Sequence, residues 1–204
     1  QTLYDGDGNT MSFREWDAIH GDPDVPLNQR KGEFGELHAQ SHMEAQGWTR
    51  IDDGANGSHN PNAHGVDGIY SRERPDGTTE YTVIEAKYNT AGLGTTRDGR
   101  QMSADWLVGE NTVTNRSENA MQGDPDGLAG VTDAFDNGDL QTGLVRVTPD
   151  GSIRVSELDD LGRVVPGSST DVPANASTST TDATATTQTT PDPAENRPDR
   201  RPSV

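Results

Sequence analysis

Three ionisable residues in the middle of the chain have the types and the spacing that divalent-metal chemistry requires. Glu85 and Lys87 lie two positions apart in the segment 81–88, which is rich in β-branched and aromatic residues. Such a segment is predicted to be a β-strand, and because side chains alternate along a strand, Glu85 and Lys87 share one face. Asp67 lies on an earlier predicted strand, 66–72.

The two strands are joined by Arg-Pro-Asp-Gly at 74–77, which predicts a tight turn and an antiparallel hairpin. If the hairpin folds about Asp76, opposing residues have numbers that add up to about 152, so Asp67 lies opposite Glu85. A slip of one residue would turn Asp67 to the other face, whereas a slip of two would not. The site therefore depends on the register of this hairpin.

Two neighbouring carboxylates repel each other unless a cation lies between them or one of them is protonated. Mg²⁺ or Mn²⁺ suits oxygen ligands and keeps bound water for chemistry. Lys87 could orient such a water or stabilise charge on a phosphate. The alternative is a surface ion pair on an edge strand. Only Lys31 and Lys87 are lysines, and this scarcity favours a specific role for Lys87.

The arrangement resembles the PD-(D/E)xK, or restriction-endonuclease-like, nuclease superfamily. Its signature is an acidic residue at the start of a hairpin, followed after a variable gap by Glu-x-Lys. The chain reads Gly-Val-Asp-Gly-Ile-Tyr at 65–70 and Val-Ile-Glu-Ala-Lys-Tyr at 83–88. Val66 stands at the variable position of the proline that names the family.

The resemblance extends to both sides of the hairpin, over about residues 30–110. Family members commonly carry a glutamate on the preceding helix, a place that Glu36 fits, with Glu33 as the alternative. Gln101 begins a Gln-Met-Ser-x-x-Trp run after the Glu-x-Lys strand. Taken together, these motifs are most similar to nuclease toxin domains at the C-terminal ends of bacterial polymorphic toxins.

The resemblance implies an α/β fold with an αβββαβ core, in which helices flank a mixed sheet. It also implies cleavage of phosphodiester bonds with Mg²⁺ or Mn²⁺. Asp67 and Glu85 would bind the metal together with the Ala86 carbonyl, and Glu36 would support the metal shell. Lys87 would assist the attacking water. Gln101 would contact the substrate or water.

Three further residues are candidates for contact with substrate phosphates. His64 directly precedes the Asp67 strand, and Arg97 and Arg100 lie in the loop after the Glu85 strand, where guanidinium groups suit phosphate binding. The alternatives are an ordinary loop histidine and arginines that keep a loop soluble.

The resemblance implies a nucleic-acid substrate, with DNA favoured over RNA, and a cognate immunity protein as partner. It also implies delivery as the C-terminal part of a larger exported protein that acts inside a target cell. The first residue is Gln1 rather than Met, which fits a processed part of something longer.

The chain divides into three predicted regions. An N-terminal extension, 1–28, contains a short helix at 12–19 with Ser12 as cap and Glu15 completing a capping box. The nuclease domain spans 29–165. The region 166–204 is rich in Thr, Ser, Pro and Asp and is predicted to be disordered, because it lacks apolar surface to bury. Within the domain we predict helices at 29–47, 101–109, 112–121 and 128–135, strands at 48–52, 66–72, 80–88, 140–148 and 152–157, and a loop at 89–100.

The composition limits the possible functions. The chain contains 34 acidic and 16 basic residues, for a net charge of −18, and no cysteine, which excludes disulfides and thiolate metal sites. An acidic, lysine-poor chain is typical of salt-loving organisms or of high-GC bacteria, and no apolar run is long enough to span a membrane. The charge opposes long-range attraction to nucleic acid, although high salt screens it. A non-catalytic acidic interaction or structural module, and a repair or junction-resolving nuclease of the same fold, remain alternatives.

Overall fold

The computed structural model describes residues 3–5, 7, 9–53, 65–109 and 115–174. Elements follow in chain order, with α1 to α5 and β1 to β8 numbered separately. The helices are α1 (Phe13–His20), α2 (Leu27–Ala45), α3 (Ala104–Val108), α4 (Arg116–Ala120) and α5 (Pro125–Asp136). The strands are β1 (Thr49–Arg50), β2 (Gly68–Glu73), β3 (Thr79–Tyr88), β4 (Thr95–Thr96), β5 (Gly99–Arg100), β6 (Gln141–Val147), β7 (Ile153–Glu157) and β8 (Thr170–Val172).

Six of these strands form one sheet in the order β1-β2-β3-β6-β7-β8, and β4 and β5 form a separate small hairpin. Strands β3 and β6 run parallel and are connected through α3, α4 and α5, whereas all other neighbours in the sheet are antiparallel. The predicted α/β class, with a mixed sheet flanked by helices, is confirmed. The small hairpin lies inside the predicted loop 89–100.

The β2–β3 hairpin has the predicted register. Gly68 pairs with Ile84, so Asp67, which immediately precedes β2, stands opposite Glu85. The turn uses the residues that the sequence indicated: Gly77 has a φ of +82°, and the Asp76 carboxylate accepts a hydrogen bond from the Thr78 backbone N–H at 2.9 Å. The turn thus fixes which side chains meet across the hairpin.

Hydrophobic side chains cover both faces of the sheet. On one face Phe34 of α2 and Trp16 of α1 pack with Ile84. On the other face Trp106 of α3 packs with Val83. Because Val83 and Ile84 are adjacent on β3, they point to opposite faces, and Glu85 and Lys87 lie on the face covered by the α3–α5 layer.

The N-terminal segment packs into the core, across the boundary predicted at residue 29. The predicted capping box is confirmed: Ser12 Oγ accepts from the Glu15 N–H, and Glu15 Oε2 accepts from the Ser12 N–H. Trp16 is completely buried, and its ring centroid lies 5.6 Å from that of Phe34. Helix α2 already begins at Leu27. Burial of aromatic side chains joins this segment to the domain.

At the other end, regular structure continues past the boundary predicted at Pro166. Strand β8 pairs antiparallel with β7, and Val172 packs against the core cluster around Phe34. A three-residue strand with a single inward apolar side chain gives almost no periodic signal, and its stability comes from cross-strand pairing. The tail beyond Ala174, and the first part of the predicted helix 112–121, lie outside the described residues.

Within the described part of the chain, no helix is both long enough and apolar enough to cross a membrane.

Candidate functional site

Asp67, Glu85 and Lys87 converge at the C-terminal end of β3, next to the start of β2. The Lys87 Nζ forms an ion pair with Glu85 Oε1. Asp67 Oδ2 accepts a hydrogen bond of 2.7 Å from the Ala86 N–H, which attaches the Asp67 carboxylate to the strand that carries Glu85. The structure therefore brings together the three residues on which the sequence prediction depends.

Glu85 is only 1% exposed, and its two carboxylate oxygens have different surroundings. Oε1 accepts from Lys87 and also from Gln101 Nε2 at 3.1 Å. Oε2 is buried and has no hydrogen-bond partner among the described residues. Burial, followed by the negative charge of Asp67, raises the pKa of Glu85 to about 8, although Lys87 acts in the opposite direction. The site therefore holds more negative charge than its own cations neutralise, and a proton or a further cation would relieve it.

Helix α2 brings a third carboxylate near the site, that of Glu36. Burial and then the charge of Asp67 raise the pKa of Glu36 to about 8, while Arg50 and Lys87 oppose the shift. Glu85 also contributes to it. Glu36 thus interacts electrostatically with the other members of the site from a helix on the opposite side of the sheet.

Arg50 on β1, which the sequence reasoning missed, supports the site from behind. Its Nη2 donates to the Asp67 carbonyl at 2.8 Å, and its Nη1 donates to Gln40 Oε1 at 3.1 Å. Its Nε donates to Asp52 Oδ2 at 2.9 Å, and the same Asp52 oxygen accepts from the Ile69 N–H at 2.7 Å. Arg50 and Asp52 therefore attach the start of β2 to α2 and β1. Opposite charges at i and i+2 on a predicted strand were the available signal.

The donor set has the chemistry of a Mg²⁺ or Mn²⁺ site. Asp67 and Glu85 supply carboxylates, and Glu85 Oε2 is an acceptor that has no donor among the described residues. Because the N–H and C=O of one strand residue point to the same side, the Ala86 carbonyl faces the same edge as the N–H that contacts Asp67. Two carboxylates and one carbonyl, completed by water, satisfy an octahedral cation.

The side chains do not form a complete protein cage. Among the described residues, no group of three or more His, Asp or Glu side chains is arranged to hold a metal ion. Glu36 interacts with Asp67 and Glu85 through its charge. Such a site would depend on water and substrate oxygens for its remaining ligands, which is usual for Mg²⁺.

The predicted substrate residues are placed differently from one another. Gln101 lies at the site, with Nε2 on Glu85 and Oε1 accepting from the Gly94 N–H at 2.6 Å. The Arg97 side chain is 86% exposed beside Asp98, and Arg100 Nε donates to the Gly162 carbonyl at 2.8 Å. Among the described residues, no contact brings either arginine to the site. The remaining candidate, His64, lies outside the described residues.

Comparison with protein-family models, with curated proteins and with solved structures finds no match for this chain. The functional argument therefore rests on the motifs and on the geometry of the residues described above.

Proposed function

We propose that this chain is a divalent-metal-dependent nuclease with a restriction-endonuclease-like core that hydrolyses phosphodiester bonds. The observation that carries the proposal is the convergence of Asp67, Glu85 and Lys87 around a buried carboxylate oxygen that has no hydrogen-bond donor among the described residues. An unpaired buried acceptor is costly, and a bound cation at this oxygen would remove that cost. A site that receives a cation explains why one oxygen is left over.

The order of elements supports the same fold assignment. Reading α2, β1, β2, β3, α5 and β6 along the chain gives helix, three strands, helix and strand, which is the αβββαβ order implied by the resemblance. The connection from β3 to the parallel strand β6 starts at the carboxyl end of β3, where Glu85 and Lys87 lie. Ligand sites commonly lie at the carboxyl ends of strands in such sheets.

Each residue has a definite task in the proposed reaction. When bound, Mg²⁺ or Mn²⁺ supplies Lewis-acid assistance and a more acidic water. Asp67 and Glu85 orient toward the cation position, and Gln101 holds Glu85 Oε1 in place. Lys87 lies beside the reacting phosphate. Its ammonium has N–H groups beyond the one that contacts Glu85, and these can orient a water or a phosphate oxygen. Glu36 adjusts the charge of the site.

The substrate and biological context follow from the resemblance. A DNA substrate is favoured over RNA, and a toxin domain would require an immunity protein in the producing cell. Delivery into a target cell as part of a larger exported protein belongs to the same proposal.

Cleavage of supercoiled plasmid in Mg²⁺ or Mn²⁺, with EDTA as the metal-free reference, tests the proposal. Asp67→Asn keeps the shape of the side chain and removes its charge, and Lys87→Met keeps the aliphatic stem. Each variant should lose about 100-fold or more in rate, in the range attributed to positioned acid–base and electrostatic groups. Glu73→Gln, at the exposed end of β2, is the matched control and should cleave normally.

Full activity in both Asp67→Asn and Lys87→Met would exclude the assignment. Linear duplex, a four-way junction and RNA should be compared at low and molar salt. A strong preference for the junction would favour a junction-resolving nuclease of the same fold. Absence of cleavage under every condition would favour a non-catalytic acidic module.

A further inference from the structure

Two arginines on consecutive strands continue the line that Lys87 begins. Arg146 of β6 pairs directly with Lys87 of β3, and Arg154 of β7 pairs directly with Arg146. Because directly paired residues project from the same face of a sheet, all three side chains lie on the face that carries Glu85. We call Lys87, Arg146 and Arg154 the basic row.

The basic row lies where the covering helical layer ends. The neighbouring row on the same face is buried. It consists of Glu85, Leu144 and Ser156, which are 1%, 4% and 5% exposed. In the basic row the side-chain exposure rises from 19% at Lys87 to 57% at Arg154, with Arg146 half-buried between them. The row therefore leads from the candidate site to open solvent at the β8 side of the sheet.

The guanidinium of Arg146 contacts backbone carbonyls. Its Nη1 donates to the Asn89 carbonyl at 2.8 Å and to the Ala91 carbonyl, and backbone carbonyls do not neutralise a guanidinium. Within the described part of the chain, no carboxylate forms an ion pair with it. In contrast, Arg30 and Arg116 are paired with carboxylates. A half-buried, uncompensated arginine beside Lys87 is notable in a chain of net charge −18.

Arg154 forms an exposed ion pair with Asp171, which another anion can replace. Its Nε and Nη2 donate to the two carboxylate oxygens of Asp171 at 2.6 and 2.9 Å, and both side chains are mostly exposed. Exposed ion pairs contribute little to stability, about 0–1 kcal/mol. A phosphate with the same bidentate geometry can therefore compete with Asp171 for Arg154.

We propose that the basic row binds the sugar–phosphate backbone of a nucleic-acid strand that crosses β3, β6 and β7 on its way to the site. This inference rests on the proposed nuclease function and adds the path of its substrate. Adjacent strands are about 4.8 Å apart, so the row spans about 10 Å. One DNA strand carries a phosphate for roughly every 3.4 Å of helix axis, so three cations over that length can contact successive phosphates. Such contacts position a substrate without reading its sequence.

Equilibrium binding tests the row separately from cleavage. The full chain in EDTA is titrated into a fluorescein-labelled DNA duplex, and anisotropy is recorded between about 50 and 200 mM NaCl. Arg146→Gln and Arg154→Gln should each weaken binding roughly tenfold and reduce the slope of log K against log salt by about 0.9. Asp171→Asn should tighten binding, because it releases Arg154. If Arg146 served only to hold the 89–91 loop, none of these changes would be expected.

Arg14→Gln is the matched control, because Arg14 is an exposed arginine of α1 on the opposite face of the sheet and the charge change is the same. The binding proposal is overturned if Arg146→Gln and Arg154→Gln bind DNA like Arg14→Gln, with an unchanged salt slope. It is also overturned if the wild-type chain shows no saturable binding at the lowest salt. Should Arg146→Gln fail to fold, Arg154→Gln and Asp171→Asn decide the question in the same way. If binding depends on the basic row but no metal-dependent cleavage occurs, the binding proposal stands and the nuclease proposal fails. If metal-dependent cleavage occurs and is unchanged in Arg146→Gln and Arg154→Gln, the nuclease proposal stands and the binding proposal fails.

Discussion

Ionisation of Glu85 should destabilise the metal-free protein as the pH rises. Burial and the neighbouring Asp67 raise the pKa of Glu85 to about 8 in the folded chain, from an ordinary value of 4.5. Between these two values the folded state holds a proton that the unfolded state has released, so the free energy of unfolding falls with increasing pH. The loss begins above the ordinary pKa and is complete once the pH exceeds the folded value. A divalent cation should reverse it by stabilising the ionised form.

The size of the effect follows from the two pKa values. For one group with these values, linkage gives a loss of about 3 kcal/mol between about pH 6 and about pH 9. The raised pKa of Glu36 depends partly on Glu85, so replacing one glutamate also eases ionisation of the other. Glu85→Gln should therefore remove the part of the pH dependence that Glu85 contributes, and the variant should be more stable than wild type at about pH 9 by roughly 2–3 kcal/mol.

Urea unfolding in EDTA, followed by circular dichroism at several pH values, measures this directly. Glu73→Gln at the exposed end of β2 is the control and should retain the wild-type pH dependence. Added Mg²⁺ should raise the wild-type midpoint at about pH 9 and leave that of Glu85→Gln nearly unchanged. A flat wild-type profile between about pH 6 and about pH 9, or a Glu85→Gln profile parallel to it, would refute the description of Glu85 as an under-neutralised buried carboxylate.

Two further predictions concern residues behind the site. Arg50→Lys should lower the free energy of unfolding by about 2–3 kcal/mol in urea titrations. One ammonium cannot replace the guanidinium contacts to Gln40, Asp52 and the Asp67 carbonyl. A change under about 0.5 kcal/mol would show that these contacts are dispensable. Burial lowers the pKa of His38 from 6.5 to about 4, so its contribution to stability is complete above its ordinary pKa and is lost as the pH falls toward the folded value. Unfolding midpoints of His38→Leu should show a weaker acid-side decline, and identical acid-side slopes would contradict this reading.

The part of the site that could be predicted from the sequence depends on short-range rules. The Pro-Asp-Gly turn and the two-residue period of a strand together placed Asp67 opposite Glu85, and the structure has that register. Both rules act within a segment of about 20 residues, where turn chemistry and side-chain alternation determine pairing. The capping box at Ser12 succeeded for the same reason, since a cap is decided by residues three positions apart.

The parts that were missed depend on which strands become neighbours. Arg146 contacts the loop after β3 only because β6 pairs parallel with β3 across more than fifty residues. Strand β8 forms because β7 offers it an edge. Arg50 could be located on a strand, but its contact with the Asp67 carbonyl requires β1 to lie beside β2. Such arrangements come from packing of the whole sheet, for which a single sequence carries little local signal.

The register of β3 buries the apolar side chains of the strand and also places Glu85 opposite Asp67, as the proposed chemistry requires. On the face of the α3–α5 layer, a buried carboxylate at Glu85 is followed two residues later by the cation of Lys87, about 7 Å further along the strand. A slip of one residue would turn both charges toward the cluster around Phe34 and Trp16, where an unpaired charge is strongly disfavoured. The aromatic packing of α1 and α2 therefore selects the same register that opposes Asp67 to Glu85. In the proposed nuclease, a metal ion would lie at the level of these carboxylates and substrate phosphates at the level of the basic row, so one pairing choice positions both.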